Sequence, residues 1–83
     1  MKTKYEADNT LVIDLHNMTV EDAKRQLERM VMAAPANVKE ITVIHGYHRG
    51  KQLRDMVRNR FKCRRVERKI LSLNQGITIL ILK

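Results

Sequence analysis

The sequence predicts an α/β (α+β) two-layer sandwich in the order β-α-β-α-β-β, with a mixed four-stranded sheet and both helices on one face. Three observations lead there. Two short apolar runs with β-branched residues, Leu11–Leu15 (LVIDL) and Glu40–Ile44 (EITVI), flank a segment of helical period that ends at Pro35; this is a βαβ unit, whose crossover is right-handed and whose strands are parallel. A second amphipathic segment, Lys51–Phe61, follows the second run. Two more strand-like runs, Val66–Leu73 and Ile77–Leu82, surround Asn74-Gln75-Gly76, which reads as a hairpin turn.

Residues 1–10 are polar, with Tyr5 as their only large ring, and read as a partly disordered N-terminal arm ahead of a single domain over 11–83. Leu11–Leu15 reads as a buried strand, broken at Asn17. Thr19 with Asp22 three residues on is a variant of the capping box, and Val20, Ala23, Leu27, Met30, Val31 and Ala34 then recur on one helical face. In the second helix Leu53, Met56, Val57 and Phe61 make the buried face, while Lys51, Arg54, Arg58 and Lys62 make the other. The third strand has a basic first half, as an edge strand does, and the nearly continuous apolar run ITILIL belongs in the sheet interior. Because several strands are apolar at consecutive positions, the second face of the sheet calls for cover by the arm, by a homodimer partner or larger assembly, or by a neighbouring domain.

At 83 residues the chain suffices for one domain, with 43% hydrophobic and 31% charged residues. No apolar run approaches a membrane span, and the N-terminus lacks the apolar core of a signal peptide. A cytoplasmic protein without membrane partners is the expectation, consistent with Cys63 being the single cysteine. Net charge is +8, and its placement matters more than its size. Residues 45–69 hold ten Lys/Arg against two acids, while the rest of the chain has seven of each sign. All the excess positive charge sits in one contiguous stretch, the footprint expected of a nucleic-acid surface.

That stretch begins with VIHGYHRGKQLRDMVR, residues 43–58: a strand end, a loop with two histidines and two glycines, then a helix. Gly46 and Gly50 can adopt positive φ, and the first amides of the helix lack intrahelical acceptors, so the turn suits an anion. His45, His48, Arg49 and Lys51 crowd the same turn. At the end of the preceding strand, Asp14 and His16 are two residues apart and leave on one side of the sheet. Ligands of open α/β sheets collect at the carboxyl ends of parallel strands, which groups Asp14, His16, His45 and the His48 loop at one edge. There a carboxylate orients a histidine or holds a metal, histidines serve as general base and acid, and cations bind the scissile phosphate. A zinc site from Asp14, His16, His45 and His48 lacks a closed ligand spacing. The single serine, Ser72, lies late in the third strand and gives nucleophilic catalysis no support.

Taken together, Leu11-Val-Ile-Asp-Leu-His16 and Val43-Ile-His-Gly46 with Gly50 and Leu53-Arg54 resemble the small MutS-related (Smr) domain, which carries an LDLHG-type motif and an HGxGxG-type loop in this order. The resemblance implies a fold similar to the C-terminal domain of translation initiation factor three and endonuclease activity on DNA or RNA. It places Asp14 and His16 on the DLH motif, and His45, Gly46 and Gly50 on the loop. Asn17 stands where the family often has Gly, a mild change because Asn tolerates the left-handed region. His48 stands where the middle Gly of the loop is expected, which opposes close backbone approach to a phosphate.

The leading reading is a nucleic-acid-binding domain with endonuclease (phosphodiesterase) capability. Asp14, His16 and His45 are its candidate catalytic residues, and Gly46, His48, Arg49, Gly50, Lys51, Arg54 and Arg58 its candidate phosphate-binding residues. On RNA the histidines would run a cyclising cleavage through the 2′-hydroxyl; on DNA a metal-activated water near Asp14, with Mg as the candidate cofactor, would be needed. Two other readings stay open: a binding module without catalysis, and an interaction domain docking on ribosomal or repair proteins.

Overall fold

The computed structural model describes residues 1–47 and 51–83. Its strands are β1 (Lys2–Ala7), β2 (Thr10–Asp14), β3 (Glu40–Ile44), β4 (Val66–Leu71) and β5 (Ile77–Leu82). Helix α1 (Val20–Ala33) joins β2 to β3, and a short α2 (Gln52–Asp55) runs directly into a π-helical turn, Met56–Arg60. The sheet order is β1-β2-β3-β5-β4; β2 and β3 are parallel, and the remaining neighbours are antiparallel. The sheet is therefore mixed, as the βαβ unit and the hairpin require, with β5 inside it and β4 at an edge.

The expected four strands are corrected to five. Residues 2–7, read as an arm, pair antiparallel with β2 from Lys2↔Asp14 to Tyr5↔Leu11, so they extend the sheet edge. Every residue of β1 is exposed. Its stability comes from the backbone ladder rather than burial, and the alternating Lys2 and Lys4 leave a charged edge that discourages further pairing. The turn into β2 is tied down by Asn37, whose Nδ2 donates to the Asp8 carbonyl at 2.7 Å, and by Lys39 N donating to Asn9 O at 2.9 Å.

Alternate positions of the inner strands, Leu11 and Ile13, Ile41 and Val43, Leu80 and Leu82, share one core with Ala23, Leu27 and Val31 of α1 and with Met56, Val57 and Phe61. Thr19 caps α1 by accepting from Asp22 N at 3.2 Å, while the Asp22 carboxylate accepts from Arg25 instead of completing the capping box. The continuous helix expected over Lys51–Phe61 is corrected to four α-helical residues and a π turn. Phe61 N donates to Met56 O at 2.6 Å, an i→i−5 bond. Five residues of regular α-helix would put Met56 and Phe61 on different sides; the wider turn brings both to the core, where they are 1% and 0% exposed.

Two cations of the basic stretch finish helix ends. Arg65 donates from Nη1 to Val31 O at 2.9 Å and to Ala34 O, and from Nη2 to Pro35 O at 2.9 Å, supplying α1 with a C-terminal cation that its own last turn lacks. Lys69 Nζ donates to Phe61 O at 2.5 Å and Arg58 O at 3.3 Å, and lies 5.9 Å from the centre of the Phe61 ring. Replacing Arg65 by Met keeps the aliphatic stem and removes the three donations. Urea unfolding should show a loss of about 1–2 kcal/mol, whereas Arg64→Met, at an exposed neighbour, should be near neutral.

Candidate active site

The parallel pair β2 and β3 ends with Asp14 beside Ile44, and the turns that follow carry His16 and His45 to the same edge of the sheet. Leu15 continues the ladder by donating to Ile44 O at 2.8 Å, and the chain then turns through Asn17 at φ 69°. A positive φ is the conformation that Asn bears better than other side chains, so the expected tolerance at this position is met by the geometry. Asn17→Gly should leave stability unchanged or slightly raised, and Asn17→Ala should lower it by about 1 kcal/mol, read from urea midpoints.

Asp14 and His16 form a dyad. Asp14 Oδ1 accepts from the His16 backbone amide at 3.0 Å and from the His16 ring through Nδ1. Because an ionised carboxylate can only accept, the ring proton sits on Nδ1 and the lone pair of Nε2 is left unused by the pair. Burial alone would push the Asp14 carboxyl up. The two hydrogen bonds from His16, helped by the charges of His16 and Lys2, outweigh it and hold Asp14 below the usual carboxylate range. The His16 side chain is 52% exposed against 22% for Asp14, so a carboxylate at the sheet edge orients an imidazole that faces solvent.

His45 is placed differently. It is 2% exposed, and both ring nitrogens are engaged: Nδ1 with the Gly46 carbonyl at 2.9 Å and Nε2 with Thr78 Oγ1 at 2.9 Å. A carbonyl accepts, so Nδ1 carries the proton and Nε2 receives the Thr78 hydroxyl. That hydroxyl oxygen in turn accepts from Arg58 Nε at 2.7 Å, and Arg58 Nη2 donates to Ile77 O at 2.8 Å. Burial, then the nearby Arg58 and Arg54 charges, push the His45 pKa down against the opposing effect of its bond to Gly46. An unfolded histidine titrates at about 6.5, so between that pH and the lower folded value the unfolded chain binds more protons. Stability linked to His45 is thus fully present above about pH 6.5 and is lost as pH falls through the folded value. Urea unfolding should show declining stability below pH 6.5, with a shallower decline in His45→Gln.

The structure thus brings Asp14, His16 and Gly46 together, with a Cβ at Gly46 lying 3.8 Å from His16 Cβ and Gly46 at φ +71°, the positive φ expected of it. The Gly46 amide donates to Gly76 O at 3.0 Å, beside His45 N at 2.9 Å on the same oxygen. Lys51 is exposed at the start of α2. Arg54 and Arg58, expected on a solvent-facing phosphate stripe, are turned inward: Arg54 Nη1 donates to Gln75 Oε1 at 2.6 Å and its Nε approaches Asp55 at 3.5 Å, and Arg58 holds β5 as described. Both side chains thus reach the β4–β5 turn and the start of β5. His48, Arg49 and Gly50 lie outside the described residues.

The dyad opens on a cleft between the β2–α1 turn and the β3–α2 loop, lined by His16, Asn17, Val20, Gly46, Tyr47 and Leu53 among others. Sequence reasoning passed over Tyr47, although a ring placed between the two histidines of a Gly-rich loop was the available signal. Among the described residues no group of three or more His, Cys, Asp or Glu is spaced to hold a metal.

A family model for the Smr domain matches residues 13–78. Among solved structures, the fold is similar to the crystal structure of the Smr domain of Thermus thermophilus MutS2, with a TM-score of 0.77 and 23% identity, over 87% of this chain and 96% of that one. No curated protein gives a significant match.

Proposed function

The chain belongs to the Smr domain family, and from that premise we propose that it binds nucleic acid and cleaves phosphodiester bonds at the Asp14–His16 dyad, with RNA as its substrate. The observation that carries this reading is the exposed His16 ring, which lines the cleft and is held through Nδ1 by Asp14, leaving Nε2 outside the pair. Such an imidazole is a general base in search of a hydroxyl. RNA supplies one beside each phosphate. His16 Nε2 takes the 2′-hydroxyl proton, the oxygen attacks the adjacent phosphorus, and the bond to the 5′-oxygen breaks. The leaving oxygen recovers a proton from the imidazolium or from water, giving 2′,3′-cyclic phosphate and 5′-hydroxyl ends.

His45 has a supporting part in this proposal. With both nitrogens occupied, it shapes the Gly46 turn against which His16 packs. Attraction of the polyanion falls to Lys51 and to the exposed Arg60, Lys62, Arg64 and Arg68.

Incubating the protein with labelled RNA and DNA, with magnesium or with chelator, tests the reading. The expected outcome is RNA cleavage indifferent to chelator, yielding cyclic phosphate ends. His16→Ala and Asp14→Ala should each lower the rate, the former by about 10²- to 10⁴-fold. RNA bound without cleavage would leave a binding module, and chelator-sensitive nicking of duplex DNA would replace the base by a metal-activated water.

A further inference from the structure

The chain has three aromatic rings in all, two Tyr and one Phe, and no Trp. Phe61 is buried in the core, and Tyr5 stands on the outer edge strand. The third, Tyr47, is 40% exposed and lines the same cleft as His16. A single exposed ring is ordinary on a protein surface, so its setting decides. Tyr47 directly follows Gly46, whose amide is fixed on Gly76 O and whose Cα faces His16. One ring atom lies close to Gly76: a Cβ built there would come 3.6 Å from Tyr47 Cδ1 and 3.4 Å from Gly46 Cα. Gly76 itself is held by its amide donating to Asn74 Oδ1 at 2.8 Å. Tyr47 therefore sits against a fixed turn at Cδ1 and keeps a substantial exposed area in the cleft lining.

We propose that Tyr47 is a stacking platform for an unpaired base, which seats a single-stranded nucleotide beside the Asp14–His16 dyad. The inference rests on the nucleic-acid reading above and narrows its substrate class. A base in a duplex already has neighbours on both faces, whereas an unpaired base offers a π-face to an aromatic side chain. A pre-set ring adds affinity with little ordering cost. The chemistry agrees, because an A-form duplex holds the 2′-hydroxyl out of line with the leaving 5′-oxygen, and an unpaired nucleotide is free to reach the in-line arrangement.

The absence of tryptophan makes the test direct. In a Tyr5→Phe background Tyr47 is the only tyrosine emitter. The probes are a short 2′-O-methylated single strand, which the dyad cannot cleave, the same strand paired with its complement, and the same strand carrying abasic positions. Tyrosine emission should be quenched by the base-bearing single strand and much less by the duplex or the abasic strand. Tyr47→Ala should weaken single-strand binding about 5- to 150-fold, while Tyr47→Phe should retain it, with circular dichroism confirming that both variants fold. Binding that proceeds without quenching and survives Tyr47→Ala would overturn the platform and leave the nucleic-acid reading standing. Equal affinity for duplex and single strand would overturn the preference for an unpaired base. Failure of every strand to bind would overturn both readings.

Discussion

The Gly76 carbonyl is the point on which the functional edge of this domain turns. It accepts from His45 N and from Gly46 N, at 2.9 and 3.0 Å, where β3 ends and β5 has not yet begun. Two residues further, Thr78 receives Arg58 and engages His45. Three stretches distant in sequence thereby meet: the end of β3, the π turn, and the β4–β5 turn with the start of β5. Without this lock the His45–Gly46 turn would lose its anchor on the sheet, and the Gly46 backbone would no longer be held beside His16. Buried polar groups cost least when each is satisfied, and no buried side-chain nitrogen or oxygen among the described residues lacks a partner.

The lock also changes the meaning of the positive charge. Segregation of the cations into one stretch suggested a uniform basic surface, yet Arg54, Arg58, Arg65 and Lys69 direct their donors at backbone carbonyls or the Gln75 amide. Carbonyls at the ends of α1 and of the π turn have no intrahelical donors, and a long cationic side chain satisfies them while its stem covers apolar surface. Such residues still contribute to the long-range field that draws a polyanion. Close phosphate contacts, however, need cations whose donors are not already committed, which among the described residues of the basic stretch are the exposed Lys51, Arg60, Lys62, Arg64 and Arg68.

What the sequence revealed followed from burial. β3 and β5 lie where their apolar runs place them, β2 is parallel to β3 as the helical crossover demands, and α1 starts at the Thr19 cap and stops before Pro35. Asp14 and His16 were legible as a pair because alternation puts residues two apart on one side of a strand. β1 was not legible, since all its residues are exposed and its support is a ladder to β2 that leaves no hydrophobic period. The π turn escaped for a related reason: spacing arguments assume 3.6 residues per turn, and one wider turn displaces every later residue around the axis. Arg54, which precedes the π turn, and Arg58, within it, were misplaced for another reason: the face they share looks onto the β4–β5 turn and the start of β5, and no spacing argument shows what a polar helix face packs against. A charge pattern shows how many cations a segment holds, and only packing shows which of them reach solvent.

The two described histidines show the same distinction within one residue type. His16 keeps its ring in solvent contact and gives one nitrogen to Asp14; His45 is buried and gives one nitrogen to Gly46 and the other to Thr78. A carboxylate partner fixes the orientation of the ring and leaves Nε2 outside the pair, as a base that must take up a proton requires. Burial beside Arg58 disfavours the charged form of His45, as suits a group whose task is to keep a neutral hydrogen-bond chain intact. From their positions at neighbouring strand ends the two looked interchangeable as acid and base. Their surroundings make them unequal: in the proposed reaction it is the histidine with the freer nitrogen and the carboxylate behind it that acts, while the buried one holds the Gly46 turn through a bond at each ring nitrogen.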